Sequence, residues 1–107
     1  MIIVHLEVTF EPSSDAAMKS IVPEVERFCR KFEGCEQFTV SFPPSPPGTA
    51  LTTEIWRDER TLRAHIASTR QAPELETWHR LIKEIWPHVF RASSLGLEAL
   101  TKEETVQ

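Results

Sequence analysis

Residues 37–57 read QFTVSFPPSPPGTALTTEIWR, and this stretch decides the fold. Gln37 to Phe42 alternates, with Phe38, Val40 and Phe42 on one side and Gln37, Thr39 and Ser41 on the other. A period of two is the pattern of a half-buried strand. Ala50 to Arg57, rich in threonine and β-branched residues, predicts a second strand. Between them, Pro43 to Gly48 places four prolines and a glycine within six residues. Proline lacks the backbone donor that a helix or central strand requires, so this segment is a stiff loop between two strands. Its length suits a hairpin connection rather than a domain linker.

Upstream, Ile2 to Phe10 alternates as well: Ile2, Val4, Leu6, Val8 and Phe10 share one face, and Ile3, His5, Glu7 and Thr9 the other. The segment from about 14 to 33 changes to helical spacing, with Met18, Ile21, Val22, Val25, Phe28, Cys29 and Phe32 as its apolar stripe. Pro23 within it predicts a kink or a late start, and Gly34 is placed to close the helix. Downstream, Asp58 is positioned to cap a short helix over about 59–68, with Leu62, His65 and Ile66 along one stripe. A longer helix starts near Pro73 and carries Leu75, Trp78, Ile82, Ile85, Trp86 and Val89, with Pro87 ending or bending it. Ser94 to Leu100 then reads as the last strand and Thr101 to Gln107 as a polar tail.

The predicted order, βαββααβ, is the split β-α-β arrangement of a ferredoxin-like α+β fold, an antiparallel four-stranded sheet with helices on one side. At 107 residues and 40% hydrophobic, the chain holds a single domain over 1–107 with one core. A net charge of −4 with no basic stripe argues against nucleic acid as a partner. The short apolar runs predict no membrane span and no secretory leader. Two cysteines without a CxxC spacing point to a reducing cytoplasm.

Helices on one side leave the other sheet face open. It carries Ile3, His5 and Glu7, together with either Glu54 and Trp56 or Leu51 and Ile55. The cheapest cover for such a patch is a second copy of the same sheet, which predicts a homodimer.

Glu54-Ile55-Trp56-Arg57-Asp58-Glu59-Arg60-Thr61-Leu62-Arg63-Ala64-His65 resembles the E-x-W to L-x-x-H stretch of the antibiotic-biosynthesis-monooxygenase type of dimeric α+β barrel. Glu11-Pro12 after the first strand and Gly34-Cys35 before the second support the resemblance, and the element order matches to about residue 100. The resemblance implies a homodimer with a pocket between sheet and helices in each subunit. It also implies oxidation of a quinol or small hydroxylated aromatic by O₂ with no cofactor. A related branch degrades haem and uses an asparagine on the first strand, where this chain has Leu6 or Glu7.

Within that frame His65 is the candidate catalytic residue, a base or hydrogen-bond donor for a phenolic proton. The alternative is a core histidine that fixes its helix. Trp56, Trp78, Ile82, Trp86 and Leu6 are the candidate substrate-binding residues, an apolar enclosure for a planar ring. Strand alternation forbids Trp56 and Ile55 from facing the helices together unless a bulge intervenes, so Trp56 either walls the pocket or lies in the core or at the subunit interface. His5, His65, His79 and His88 follow no metal-ligand spacing, which predicts no metal site. Cys29 lies on a buried stripe and Cys35 has no neighbouring base, so a cysteine nucleophile has no support. The competing function is a non-catalytic small-molecule-binding barrel.

Overall fold

The computed structural model describes the backbone of residues 1–105 and the side chains of residues 1–101. Its elements are β1 (Ile2–Phe10), α1 (Asp15–Arg30), β2 (Cys35–Ser41), β3 (Thr49–Trp56), α2 (Glu59–Thr69), α3 (Glu76–Leu81), β4 (Ile82–Arg91) and α4 (Leu97–Thr105). The strands form one antiparallel sheet in the order β2-β3-β1-β4, the ferredoxin-like layout expected from the sequence.

Alternation sets the faces. On β1, Ile2, Val4, Val8 and Phe10 are buried toward the helices, while His5 and Glu7 are exposed on the opposite face. On β3, Ala50, Thr52, Glu54 and Trp56 are buried, and Leu51, Thr53 and Ile55 face away. Trp56 therefore takes the helix side by the plain alternation of β3, the register shift beside it falling on the facing strand between Cys35 and Gln37, and Leu51 and Ile55 belong to the outer face. The helix α1 lays Met18, Val22, Val25 and Cys29 on the inner face, where they meet Phe38 and Val40 of β2.

Pro23 neither delays nor ends α1, which runs unbroken from Asp15 to Arg30 with Pro23 exposed. The helix stops short of Gly34, which instead makes a turn at φ +81°. A side chain there would overlap Thr61 at the start of α2, so glycine is required by space as well as by φ. Asp58 caps α2 as expected: its carboxylate accepts from Thr61 N–H at 2.9 Å, and Thr61 Oγ1 reaches back to Asp58 N–H.

Two side chains of α1 also reach the free edge of β2. Glu26 accepts from Val40 N–H at 2.9 Å, and Arg30 Nε donates to the Phe38 carbonyl at 2.9 Å. Among the described residues the opposite edge strand, β4, carries no such cover, and it is almost wholly exposed.

The last third of the chain departs from the sequence expectation. The long helix from Pro73 is a 3-10 turn over Pro73–Leu75 followed by the six residues of α3, and residues 82–91 are the fourth strand. Of the strand expected over 94–100, residues 94–96 belong to a connection and 97–100 to the start of α4, which continues through Thr101 to Thr105 of the expected tail; residues 106–107 lie outside the described residues. Ile82, Ile85, Trp86 and Val89 match a helical period by coincidence, because this strand has apolar residues on both faces. Pro87 pairs with Leu6 on an edge strand, one of the few sheet positions that tolerates a missing donor.

Candidate functional site

A cavity of about 220 Å³ opens between the inner sheet face, α1, α2 and the Pro73–Leu81 segment. Val4 and Leu6 of β1, Phe38 of β2, and Ile85, Pro87 and Val89 of β4 form its sheet side. Leu62 and Ile66 of α2, with Leu75 and Trp78, form the helix side. An apolar cavity of about 150 Å³ holds benzene, so this volume suits a ligand of one or two rings. Arginine and lysine are absent from the lining, and its titratable side chains are Cys29, Glu54, His65 and His79. A neutral ligand fits such a wall better than an anion, which would be desolvated with nothing to balance its charge.

At the inner end, four residues form one polar constellation. Glu54 is 3% exposed; its Oε1 accepts from Trp56 Nε1 at 2.9 Å and its Oε2 from Thr52 Oγ1 at 3.2 Å. The Trp56 indole is fully buried and lies against the His65 imidazole, ring centroids 4.4 Å apart and tilted by 32°. Phe32 and Phe38 pack edge-on to the same imidazole at 4.8 and 6.0 Å. His65 Nδ1 is sealed and has no hydrogen-bond partner among the described residues.

This enclosure sets the charges. Burial pushes the His65 pKa down from 6.5 to about 4, so the ring is neutral at physiological pH. Burial pushes Glu54 above its ordinary carboxylate value, against the hydrogen bonds from Trp56 and Thr52, which act in the opposite direction. The Cys29 thiol is pushed up to about 12, chiefly by burial and then by the neighbouring Glu54, which removes it as a nucleophile.

The sign of the His65 effect on stability follows from proton counting. The unfolded chain binds a proton at this histidine through a pH range in which the folded chain does not, so stability rises with pH between about 4 and 6.5. The contribution is full above pH 6.5 and is lost as pH falls through about 4. At about 1.4 kcal/mol per pH unit it amounts to about 3 kcal/mol. Glu54 has the opposite sign, because its raised pKa makes the folded chain hold the extra proton above its ordinary value of 4.5. Urea unfolding at about pH 7 and pH 4 should therefore show a steeper acid loss in the wild type than in His65→Phe. Equal losses in the two proteins would place the imidazole in water.

Of the residues singled out from the sequence, His65, Trp78 and Leu6 lie on the cavity wall. Trp56 stands behind Glu54 and His65 rather than on the wall. Ile82 packs against the core near its strand partner Phe10. Trp86 points to the outer face opposite Glu7, 53% exposed, and takes no part in the cavity; it lies on a strand, and the helix that would have aimed it inward does not exist. Glu7 also faces outward, so the position on the first strand that meets the cavity is Leu6. Sequence reasoning missed Glu54. Its signal was available, because Trp56 and Glu54 are two apart on one strand and a buried Trp56 carries Glu54 inside with it. Among the described residues no group of three or more His, Cys, Asp and Glu side chains could hold a metal ion. No described helix is long and apolar enough to cross a membrane.

The model of the family described as antibiotic biosynthesis monooxygenase matches residues 1–81. No curated protein matches the chain. Among solved structures, a Deinococcus radiodurans protein described as a candidate antibiotic biosynthesis monooxygenase is 21% identical at a TM-score of 0.76, covering 89% of this chain and 95% of its own. A conserved protein from Methanosarcina mazei Go1 is 22% identical at a TM-score of 0.73, over 86% and 92%. SnoaB, a cofactor-independent oxygenase from Streptomyces nogalater, is 16% identical at a TM-score of 0.71, over 88% and 94%. At these identities the likeness is one of fold.

Proposed function

We propose, from the premise that this chain belongs to the antibiotic biosynthesis monooxygenase family, that its cavity oxidises a small hydroxylated aromatic or quinol with O₂ and no cofactor. The observation that carries the proposal is an apolar cavity sized for one or two rings, with the buried Glu54 and His65 on its wall. The structural likeness to SnoaB supports the same chemistry. A phenol that loses its proton in a dry, apolar site becomes an anion able to pass an electron to O₂. Recombination then places one oxygen atom on the ring as a new carbonyl. The second oxygen leaves as water with the ring hydrogen and the hydroxyl hydrogen, so phenol and O₂ become quinone and water. The protein supplies orientation, exclusion of water and a proton acceptor.

The working molecule is a cytoplasmic homodimer paired through the outer sheet face. Ile3, Leu51, Ile55, Trp86 and Phe90 lie together there, with Leu51, Trp86 and Phe90 exposed.

Oxygen consumption by the chelator-treated protein, over a panel of quinols and polyhydroxylated aromatics, tests the activity. Uptake above autoxidation, with isotopically labelled O₂ appearing in the product ring, is the expected result. Uptake at the buffer rate for every compound, alongside thermal stabilisation by one of them, would make the protein a non-catalytic small-molecule binder. That second reading is favoured by the way His65 is packed shut at Nδ1.

A further inference from the structure

A buried acid with no cation beside it lies on the cavity wall, and the oxygenase reading assigns it no step of its own. Among the described residues Glu54 enters no ion pair, and the cavity lining offers it no lysine or arginine. Its two oxygens each accept one donor, Trp56 Nε1 on one and Thr52 Oγ1 on the other, and these bonds hold the carboxyl plane in a single orientation on the cavity wall. Each oxygen keeps a second lone pair with no protein donor. An unpaired carboxyl this deep costs folding free energy, and a structural role alone would be met more cheaply by an apolar side chain.

His65 is disposed differently. Its ring is wedged between the Trp56 face and the edges of Phe32 and Phe38, and its sealed Nδ1 has no partner to set a tautomer. Taking a proton there would create a cation among three aromatic rings with no hydrogen bond to satisfy it.

We infer that Glu54, rather than His65, receives the hydroxyl group of a neutral aromatic ligand and accepts its proton. The ligand O–H bond breaks, its electron pair stays on the phenolate oxygen, and the proton forms a new O–H bond on Glu54; nothing is oxidised in this step. Burial favours the transfer, since it makes Glu54 a stronger base than an exposed carboxylate. Trp56 and Thr52 are positioning residues, which keep the carboxyl aimed and accept no proton themselves.

The inference rests on the oxygenase reading for its ligand class, and its test does not depend on turnover. The probes are 4-nitrophenol, whose absorbance reports its ionisation, and nitrobenzene, which lacks the hydroxyl. Binding is followed by quenching of tryptophan fluorescence. Wild-type protein should bind 4-nitrophenol about tenfold or more tightly than nitrobenzene, the discrimination of a charge-assisted hydrogen bond. Glu54→Leu should bring the ratio close to one, while His65→Phe should keep it. Glu54→Gln keeps an oxygen to accept from Trp56 Nε1, and its amide N–H can donate to Thr52 Oγ1 with the direction of that bond reversed, so it serves if the leucine variant does not fold. It should bind the probe without shifting its absorbance toward the phenolate, a shift the wild type should show. No preference in the wild type, a preference intact in Glu54→Leu, one lost in His65→Phe, or an unchanged spectral shift in Glu54→Gln would each overturn the assignment. A hydroxyl preference that depends on Glu54, together with no oxygen uptake on any quinol, would refute the oxygenase and leave the role of Glu54 standing.

Discussion

Trp56→Ala lowers the unfolding free energy by about 4 kcal/mol, measured by urea titration near neutral pH. Truncating a fully buried tryptophan costs about 3–5 kcal/mol through lost transfer energy and the cavity left behind. The position has two further dependants. The indole N–H is one of the two donors to the buried Glu54, and its face supports the His65 ring. Trp56→Phe separates the contributions: it keeps an aromatic body and removes the donor. It should cost about 1–3 kcal/mol, the penalty for leaving a buried acceptor short of a partner. A loss below about 1.5 kcal/mol for the alanine variant would mean that the inner end of the cavity is not packed as described.

Trp86→Glu converts a dimer into a monomer at tens of micromolar, measured by light scattering. Trp86 and Phe90 stand on the outer face of β4, next to Ile3, His5 and Glu7 of β1. Both rings are about half exposed in the single chain, which is costly for residues of this size unless something covers them. A two-fold interface uses the same patch twice, so one substitution removes two anchors of about 2 kcal/mol each and adds two carboxylates to an apolar contact. A wild type that is monomeric at the same concentration removes the dimer. A Trp86→Glu protein that stays dimeric moves the contact to another surface.

The part of the fold that could be read from the chain is the part in which local pattern and tertiary environment agree. Ile2 to Phe10 alternates because one face meets the core and the other does not. Asp58 begins α2 because its carboxylate has the Thr61 N–H to accept from. Residues 82–91 resisted reading because both faces of β4 carry apolar side chains: Ile85, Pro87 and Val89 toward the cavity, Trp86 and Phe90 away from it. With both faces apolar the period of two disappears, and a helical period can be drawn through the same residues. Trp86 was drawn into the site by that error and Ile82 with it. His65 and Leu6 line the cavity from elements whose period was unambiguous, and Trp78 lines it because the misread helix does begin as one, in the six residues of α3. Glu54 was legible through Trp56, but polarity argued for the surface, and only the side of the strand on which Trp56 lies could outweigh it.

The two margins of the sheet also differ in what they permit. Glu26 and Arg30 occupy hydrogen-bonding groups of β2 that a foreign strand would need, whereas among the described residues no side chain does the same for β4. A sheet open at both margins can recruit copies without end and grow into a fibre. This one is guarded along β2, so a foreign strand can add only along β4, and the face-to-face pairing through Trp86 and Phe90 leaves that guard in place. A fibre needs two open margins on every chain, and Glu26 and Arg30 remove one of them.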